Sequence, residues 1–441
     1  MFGICSSEGN SGHKGLRKSL RIDGGSIQQK SIPYNGAMLF KKERIYLDYA
    51  SATPVSRAAR TAFLKSQALY GNPGGLHAEG VIAKQSLSKS RVQIASCLGC
   101  KAGEVVFTSG GTEGNNLAIL GVAQKMIQGG QDMTKTHWIV SSIEHDSILS
   151  TFGEVERLGG AVSFVEPDAD GVIAPTQVKM LLRPKTVFVS VGWANSEIGV
   201  VQPIAKIAKV IREYEAAQKT RILLHSDAGQ APLYEKTTTH SLDVDLLTLD
   251  SGKLYGPRGI GALYVKLGTP ISSILFGGKQ ESGMRPGTEN VALAASFAAS
   301  FAWVTSIRNS EEIRLRKMRD ALYSTLSKQI PTLVLNGNIE GLLPHMLNVS
   351  IPGLSVEYFV LALDSAGIAS STKSACREGE EAQSHVVQAL GALKNGERHI
   401  SAEDRSEHTI RLSLGVETTA RDCARAASTF VDVYSRMSTM L

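Results

Sequence analysis

Between Glu104 and Val265 the chain alternates short, largely apolar, β-rich runs with stretches of helical periodicity. The runs occupy residues 105–108, 138–142, 162–165, 186–191, 222–225, 246–249 and 260–265. A strand apolar on both faces has to be covered on both faces, and strands separated by helices pair in parallel. The pattern predicts an α/β fold with a mostly parallel sheet flanked by helices, whose ligands gather at the carboxyl ends of the strands. After about Ala292 a long helical stretch reaches Gln329, with Glu311, Glu312, Arg314, Arg316, Lys317 and Arg319 on its exposed part. A smaller α+β unit follows, with strands expected at 347–351 and 409–414. The expected domains are a large ligand-binding domain at 61–291 and a small one built from 44–60 and 292–441.

Residues 1–43 read as a basic, disordered extension. Residues 1–37 are rich in Gly, Ser and basic residues, with Lys14, Arg17, Lys18, Arg21 and Lys30 against Glu8 and Asp23. They have no apolar period with which to bury a core. The extension is acid-poor like a transit peptide but lacks an amphipathic stripe. Met38 directly precedes the first ordered-looking run, 39–49, and is a candidate for the natural start.

Composition narrows the function classes. Of 441 residues, 42% are hydrophobic and 20% charged, which is ordinary for a folded soluble domain. No run approaches the roughly 18 uninterrupted apolar residues of a membrane-spanning helix, so no membrane partner is expected. The net charge is +6, and the first 37 residues hold half of it. Without a basic patch interleaved with aromatics, no direct nucleic-acid binding is expected. Five scattered cysteines indicate a reducing compartment, and a cytoplasmic location is expected. Cys97 and Cys100 form a C-x-x-C without a second pair, and read as packing at a helix end.

The candidate chemistry sits just past the apolar runs. In Thr248-Leu-Asp-Ser-Gly-Lys253-Leu-Tyr-Gly-Pro, a lysine follows a strand and precedes a Gly/Pro loop. An amine held against a sheet edge is costly to charge, which suits it to attach covalently to an aldehyde. Asp227, in His225-Ser-Asp227-Ala-Gly-Gln230, can pair with the ring nitrogen of a pyridine cofactor, and Gln230 can donate to its phenolic oxygen. In Val105-Val-Phe-Thr-Ser-Gly-Gly-Thr112-Glu-Gly, glycines open a helix whose unpaired N–H groups suit a phosphate, with Gly110, Gly111 and Thr112 as the cup. His145 follows another strand, where an imidazole can stack on a ring and move protons. Each residue alone has an ordinary reading: a solvated loop lysine, a helix cap, a packing histidine. Their company at successive strand ends reverses it.

These motifs, with Tyr46-Leu-Asp-Tyr-Ala-Ser-Ala-Thr-Pro, Gly71-Asn-Pro and His77, Ile143-Glu-His, Asn195-Ser-Glu-Ile-Gly-Val-Val-Gln-Pro, Gly283-Met-Arg-Pro-Gly-Thr-Glu-Asn, Ser374-Ala-Cys376 and Arg411-Leu-Ser-Leu-Gly, resemble the cysteine desulfurases of the class V aminotransferase family. These are fold type I enzymes dependent on pyridoxal 5′-phosphate (PLP), and the resemblance runs from Arg44 to about Ser428. It implies that Lys253 holds PLP, His145 serves it, Asp227 and Gln230 tune the ring, and Gly111 and Thr112 bind phosphate. It further implies that Asn195 contacts cofactor and substrate, Arg411 holds the substrate carboxylate, and Thr288 reaches a partner subunit's phosphate in a homodimer. The implied reaction takes sulfur from L-cysteine onto Cys376, leaving alanine, and passes it to an acceptor protein for iron–sulfur cluster or thio-cofactor synthesis.

Cys376 lies in Ser370-Ser-Thr-Lys-Ser-Ala-Cys-Arg-Glu-Gly-Glu-Glu, which reads as an exposed, flexible loop. Lys373 and Arg377 favour its thiolate while Glu378, Glu380 and Glu381 oppose it. The chain departs from the family pattern at Gly252, where a histidine usually precedes the lysine, and at Lys373, where a small residue is usual. The segment 392–409 is also longer than usual. Near Gly252, Ser251 is expected to offer a hydroxyl to the phosphate, and Asp250 to repel the phosphate if it points inward. A selenocysteine lyase would share this constellation; another lyase or aminotransferase of the same fold would need no thiol; a non-catalytic binding homologue would be expected to lose Lys253 or Cys376.

Overall fold

The computed structural model describes residues 44–236, 238–372, 383–395 and 398–438. The expectations for residues 1–43, for a start at Met38 and for Cys376 with its neighbouring charges lie outside the described residues. A two-residue strand, β1 (Ile45–Tyr46), opens the described chain. The seven apolar runs then become β2 (Val105–Thr108), β3 (His137–Ser141), β4 (Ala161–Val165), β5 (Thr186–Ser190), β6 (Leu223–Asp227), β7 (Leu246–Asp250) and β8 (Gly261–Val265). Their ends differ from the expected ones by a residue or two, the usual uncertainty of boundaries. They form one sheet in the order β2-β8-β7-β6-β5-β3-β4. β8 runs antiparallel to both its neighbours, and the other pairings are parallel.

The strand burial explains the sequence pattern. β2, β3 and β8 are buried at every position, whereas the edge strand β4 exposes Ala161 and Phe164. Because β2 and β7 both oppose β8, they share a direction, and the carboxyl ends of β2, β3, β5, β6 and β7 lie on one side of the sheet. The close approach of the β2–helix turn to β8 requires a glycine: a Cβ on Gly261 would lie 2.8 Å from Gly110 Cα and 2.5 Å from the Leu249 carbonyl oxygen.

The helix Val291–Gln329 packs on the helices Arg57–Gln67, Ala78–Leu98 and Ala420–Ser438. It is long and apolar enough on composition to cross a membrane, although serines and a threonine interrupt its apolar residues. Half of its most apolar 18-residue stretch is buried inside the protein, including Ala294, Phe297, Ala298, Phe301 and Val304, as in a core helix.

The remaining strands are β9 (Val334–Leu335), β10 (Met346–Ser350), β11 (Ile368–Ala369), β12 (Leu393–Asn395), β13 (Arg398–Ile400) and β14 (Thr409–Ser413). β10 lies between β9 and β14, antiparallel to both, while β1 pairs in parallel with β11. The long segment after Ala392 folds as the β12–β13 pair and a short helix, Ala402–Glu407. The described residues cluster as one compact unit.

Candidate active site

A cavity of roughly 220 Å³ opens at the carboxyl ends of the strands, and Gly111, Thr112, His145, Asn195, Asp227, Gln230 and Lys253 all line it. Lys253 ends a 3₁₀ turn, Ser251–Lys253, entered directly from β7. Its Nζ donates to the carbonyls of Ala50 (3.0 Å) and Ser51 (2.5 Å). Gln230 Nε2 donates to the same Ala50 carbonyl at 2.8 Å, so this amide N–H faces the chain and not the cavity.

Asp227 is the last residue of β6, and two donors fix its carboxylate. Gly229 N–H reaches Oδ1 and Asn115 Nδ2 reaches Oδ2, both at 2.8 Å. Asn115, almost wholly buried, also donates to Ser147 Oγ at 3.0 Å. Ser147 Oγ lies 2.8 Å from His145 Nδ1, and Ser147 N–H donates to the same nitrogen at 3.1 Å. His145 is thus the cap of the helix Asp146–Arg157 as well as a cavity residue. With Nδ1 accepting, the network assigns the proton of the neutral ring to Nε2.

The resulting chain, His145–Ser147–Asn115–Asp227, was not foreseen from sequence. Asn115 lies one helical turn beyond Gly111, and that i, i+4 spacing from the cup is the one signal that points to it.

Glu144 adds a second carboxyl to the cavity wall. Burial pushes it up to about 8, the Gly192 N–H bond at 2.7 Å opposes that rise, and the nearby Asp227 adds to it. At the other end of the cavity, Asn195 Oδ1 accepts the N–H groups of Glu197 (2.8 Å) and Ile198 (3.0 Å), while Nδ2 donates to the Ile143 carbonyl at 2.8 Å. Arg411 does not line the cavity itself. It lies behind, donating to the Ser196 carbonyl (3.0 Å), Asp48 Oδ1 (2.8 Å) and Ser51 Oγ (2.5 Å). Arg411 also exchanges backbone hydrogen bonds with Ser371, the last residue but one before the undescribed 373–382 segment.

Two expected residues stand elsewhere. Ser251 is fully buried and does not line the cavity; a Cβ on Gly256 would lie 2.1 Å from its Oγ and 2.6 Å from Ser300 Oγ. Its hydroxyl therefore faces the protein interior, and Asp250 lines the cavity in its place. Thr288 is exposed and lines a separate cavity with Phe107, Glu281 and Arg285. Cys97 and Cys100 flank the left-handed Gly99 that ends the helix Ala78–Leu98, and both pack on the core.

The ring end of the cavity suits a polar, aldehyde-bearing pyridine. It offers one amine, a carboxylate held by two donors and a capped imidazole. Among the described residues, two lining atoms, Asn115 Oδ1 and Gln230 Oε1, are buried without a hydrogen-bond partner, which favours a polar occupant.

The aminotransferase class-V family pattern matches residues 45–425. Cysteine desulfurase IscS of Dictyoglomus turgidum is 35% identical over 384 residues, covering 86% of this chain and 92% of the relative. Cysteine desulfurase IscS 1 of Archaeoglobus fulgidus is 36% identical over 397 residues, covering 90% and 98%. Among solved structures, a NifS-like protein superposes with a TM-score of 0.79 at 27% identity, over 89% of this chain and 100% of its own. SspA in complex with cysteine superposes with a TM-score of 0.70 at 30% identity, over 84% and 98%. The motifs at the strand ends, the fold that gathers them and these relatives agree: the chain belongs to the class V aminotransferase family, among its cysteine desulfurases.

Proposed function

We propose that this protein is a PLP-dependent enzyme that moves sulfur from L-cysteine to its own Cys376, leaving L-alanine. The observation that carries the reading is the meeting of the Lys253 amine, the doubly held Asp227 carboxylate and the His145 ring in one cavity. Family membership implies PLP. Lys253 would hold its aldehyde, Asp227 its ring nitrogen, His145 its ring face, and Thr112 with the Gly111 N–H its phosphate. When bound, PLP supplies an electron sink that weakens the bonds at the substrate Cα.

The protein's residues supply the rest. Arg411 would attract the substrate carboxylate from beside Asn195, and the Lys253 amine would take the Cα proton at Nζ and later return one. Asn115 and Ser147 keep His145 in a single tautomer, so that the ring presents Nε2–H. The Cys376 thiolate then attacks the substrate sulfur. The S–S bond forms as the Cβ–S bond breaks, the bonding pair stays with carbon, and protonation there gives the alanine methyl group. One cysteine and one thiol become one alanine and one persulfide, with no external oxidant. The persulfide passes its sulfur to an acceptor protein.

A homodimer completes the reading. Leu76 is 98% exposed, Phe276 92% and Tyr70 84%, side chains that a second copy of the chain would cover. Thr288, exposed and outside the lining of its own Lys253 cavity, would serve a partner's. Incubating the purified protein with L-cysteine and a reductant, and measuring alanine and sulfide together, tests the activity. Equal release of the two supports it; sulfide without alanine overturns it.

A further inference from the structure

The phosphate end of the cavity already carries an anion. Gly111 is the first residue of the helix Gly111–Gln128, where unpaired N–H groups and the positive helix end attract negative charge. The Gly111 N–H donates to Asp250 Oδ2 at 3.2 Å, and Asp250 Oδ1 accepts the Gly252 N–H at 2.7 Å. A Cβ on Gly111 would lie 3.3 Å from Asp250 Oδ2, so the carboxylate is in contact with the cup. Asp250 also lines the same cavity as Thr112, Asp227 and Lys253.

Of the neighbouring cations, Lys253 donates to the Ala50 and Ser51 carbonyls. Arg285 pairs with Glu113, a residue of the helix's first turn, at 3.0 Å, and Arg258 is exposed. Ser251, which sequence alone would send to the phosphate, faces the interior.

We infer that Asp250 is a negative determinant for the cofactor's phosphate. It occupies, with its own charge, the Gly111 N–H that a phosphate would use, so the protein gains little from the phosphate group and distinguishes poorly between PLP and unphosphorylated pyridoxal. The inference rests on the reading of this cavity as the PLP site. It concerns the phosphate end alone, and the ring end is common to both ligands.

The test is equilibrium dialysis of the full-length protein, freed of cofactor, against PLP and against pyridoxal, with borohydride reduction to locate the bound aldehyde. Asp250→Asn keeps a cap for Gly252 and removes the charge. It should tighten PLP by about tenfold or more, the scale of one like charge removed near a dianion, and leave pyridoxal within a factor of about three. Asp250→Ser also caps and is neutral, and should shift the ratio the same way; Asp250→Glu should keep the wild-type ratio. Circular dichroism melts identify the variants that fold. An unchanged PLP-to-pyridoxal ratio in both neutral variants, with both ligands fixed at Lys253, overturns the role of Asp250 and leaves the cofactor site standing. Failure of wild type and variants alike to fix either ligand at Lys253 overturns the site and the inference together.

Discussion

Lys253 and Arg411 both donate to Ser51: the lysine Nζ to its carbonyl and the arginine Nη2 to its hydroxyl, each at 2.5 Å. The Asp48–Ser51 turn that follows β1 thereby joins the amine expected to hold the cofactor to the guanidinium expected to hold the substrate. A change on one side of the turn is felt on the other.

Asp48 is the counter-charge of Arg411, whose side chain is 2% exposed. Asp48→Asn leaves that cation buried without its carboxylate, which costs on the order of 3 kcal/mol. The variant should melt several degrees lower than wild type. A substrate carboxylate would then be the cation's new counter-charge, so L-cysteine or L-alanine should raise the melting temperature more in the variant than in wild type. A smaller ligand-induced rise in the variant would show that Asp48 orients Arg411 more than it competes for it.

Lys253 is the expected point of covalent attachment. Borohydride reduction of the purified protein should fix PLP to the peptide containing Lys253. Lys253→Ala should lose the attachment and at least about a hundredfold in alanine production. An adduct mapped to any other lysine would remove the basis of the assignment.

Burial raises the thiols of the three described cysteines: Cys97 upward, Cys100 to about 12 and Cys423 to about 11. None is poised as a thiolate near neutral pH. Changing each to alanine should leave sulfur transfer within about twofold. Cys376→Ala should keep PLP and the spectral response to cysteine, yet lose at least about a hundredfold in alanine and carry no persulfide. Mass mapping of the persulfide checks this; near-normal alanine release without any persulfide would point to a lyase that needs no protein thiol.

Glu144 gives a pH signature. Its folded carboxyl titrates at about 8 against an ordinary 4.5, so the folded state holds a proton that the unfolded chain has lost, and its contribution to stability falls as pH rises between these values. Burial lowers His137 to about 4, and His225 and His345 to about 3, from 6.5. Their contribution has the opposite sign: it is present above about 6.5 and lost as pH falls towards their folded values. From pH 6.5 to 8 the Glu144 effect therefore stands apart from theirs. Wild type should lose melting temperature across that window, and Glu144→Gln should lose distinctly less. Equal slopes would show that the carboxyl ionises normally.

The sheet was legible because strands covered on both faces leave unbroken apolar runs, and most of the site was legible because Lys253, Asp227, His145 and the Gly110–Thr112 turn each follow such a run. Ser251 and Asp250 were harder. Asp250 caps Gly252 and bends the chain into a 3₁₀ turn immediately after β7, and that turn decides which of the two adjacent side chains enters the cavity. The links Asn115–Asp227 and Ser51–Arg411 join residues far apart in sequence, so no local period announces them. The helix Val291–Gln329 reaches membrane-like hydropathy through many alanines interleaved with serines, a pattern that a count of uninterrupted apolar residues passes over.

The backbone exchange between Ser371 and Arg411 also sets a leash. Cys376 is the fourth residue after Thr372 in the sequence, and four residues of any conformation span at most about 14 Å. Ser384, which donates to Glu197 Oε2 at 2.6 Å, fixes the chain on the far side. A sulfur carried on Cys376, as proposed, would be on a short leash, out of reach of a distant acceptor. An acceptor would then have to approach within about that span of Thr372, so its choice would become a matter of shape around this rim.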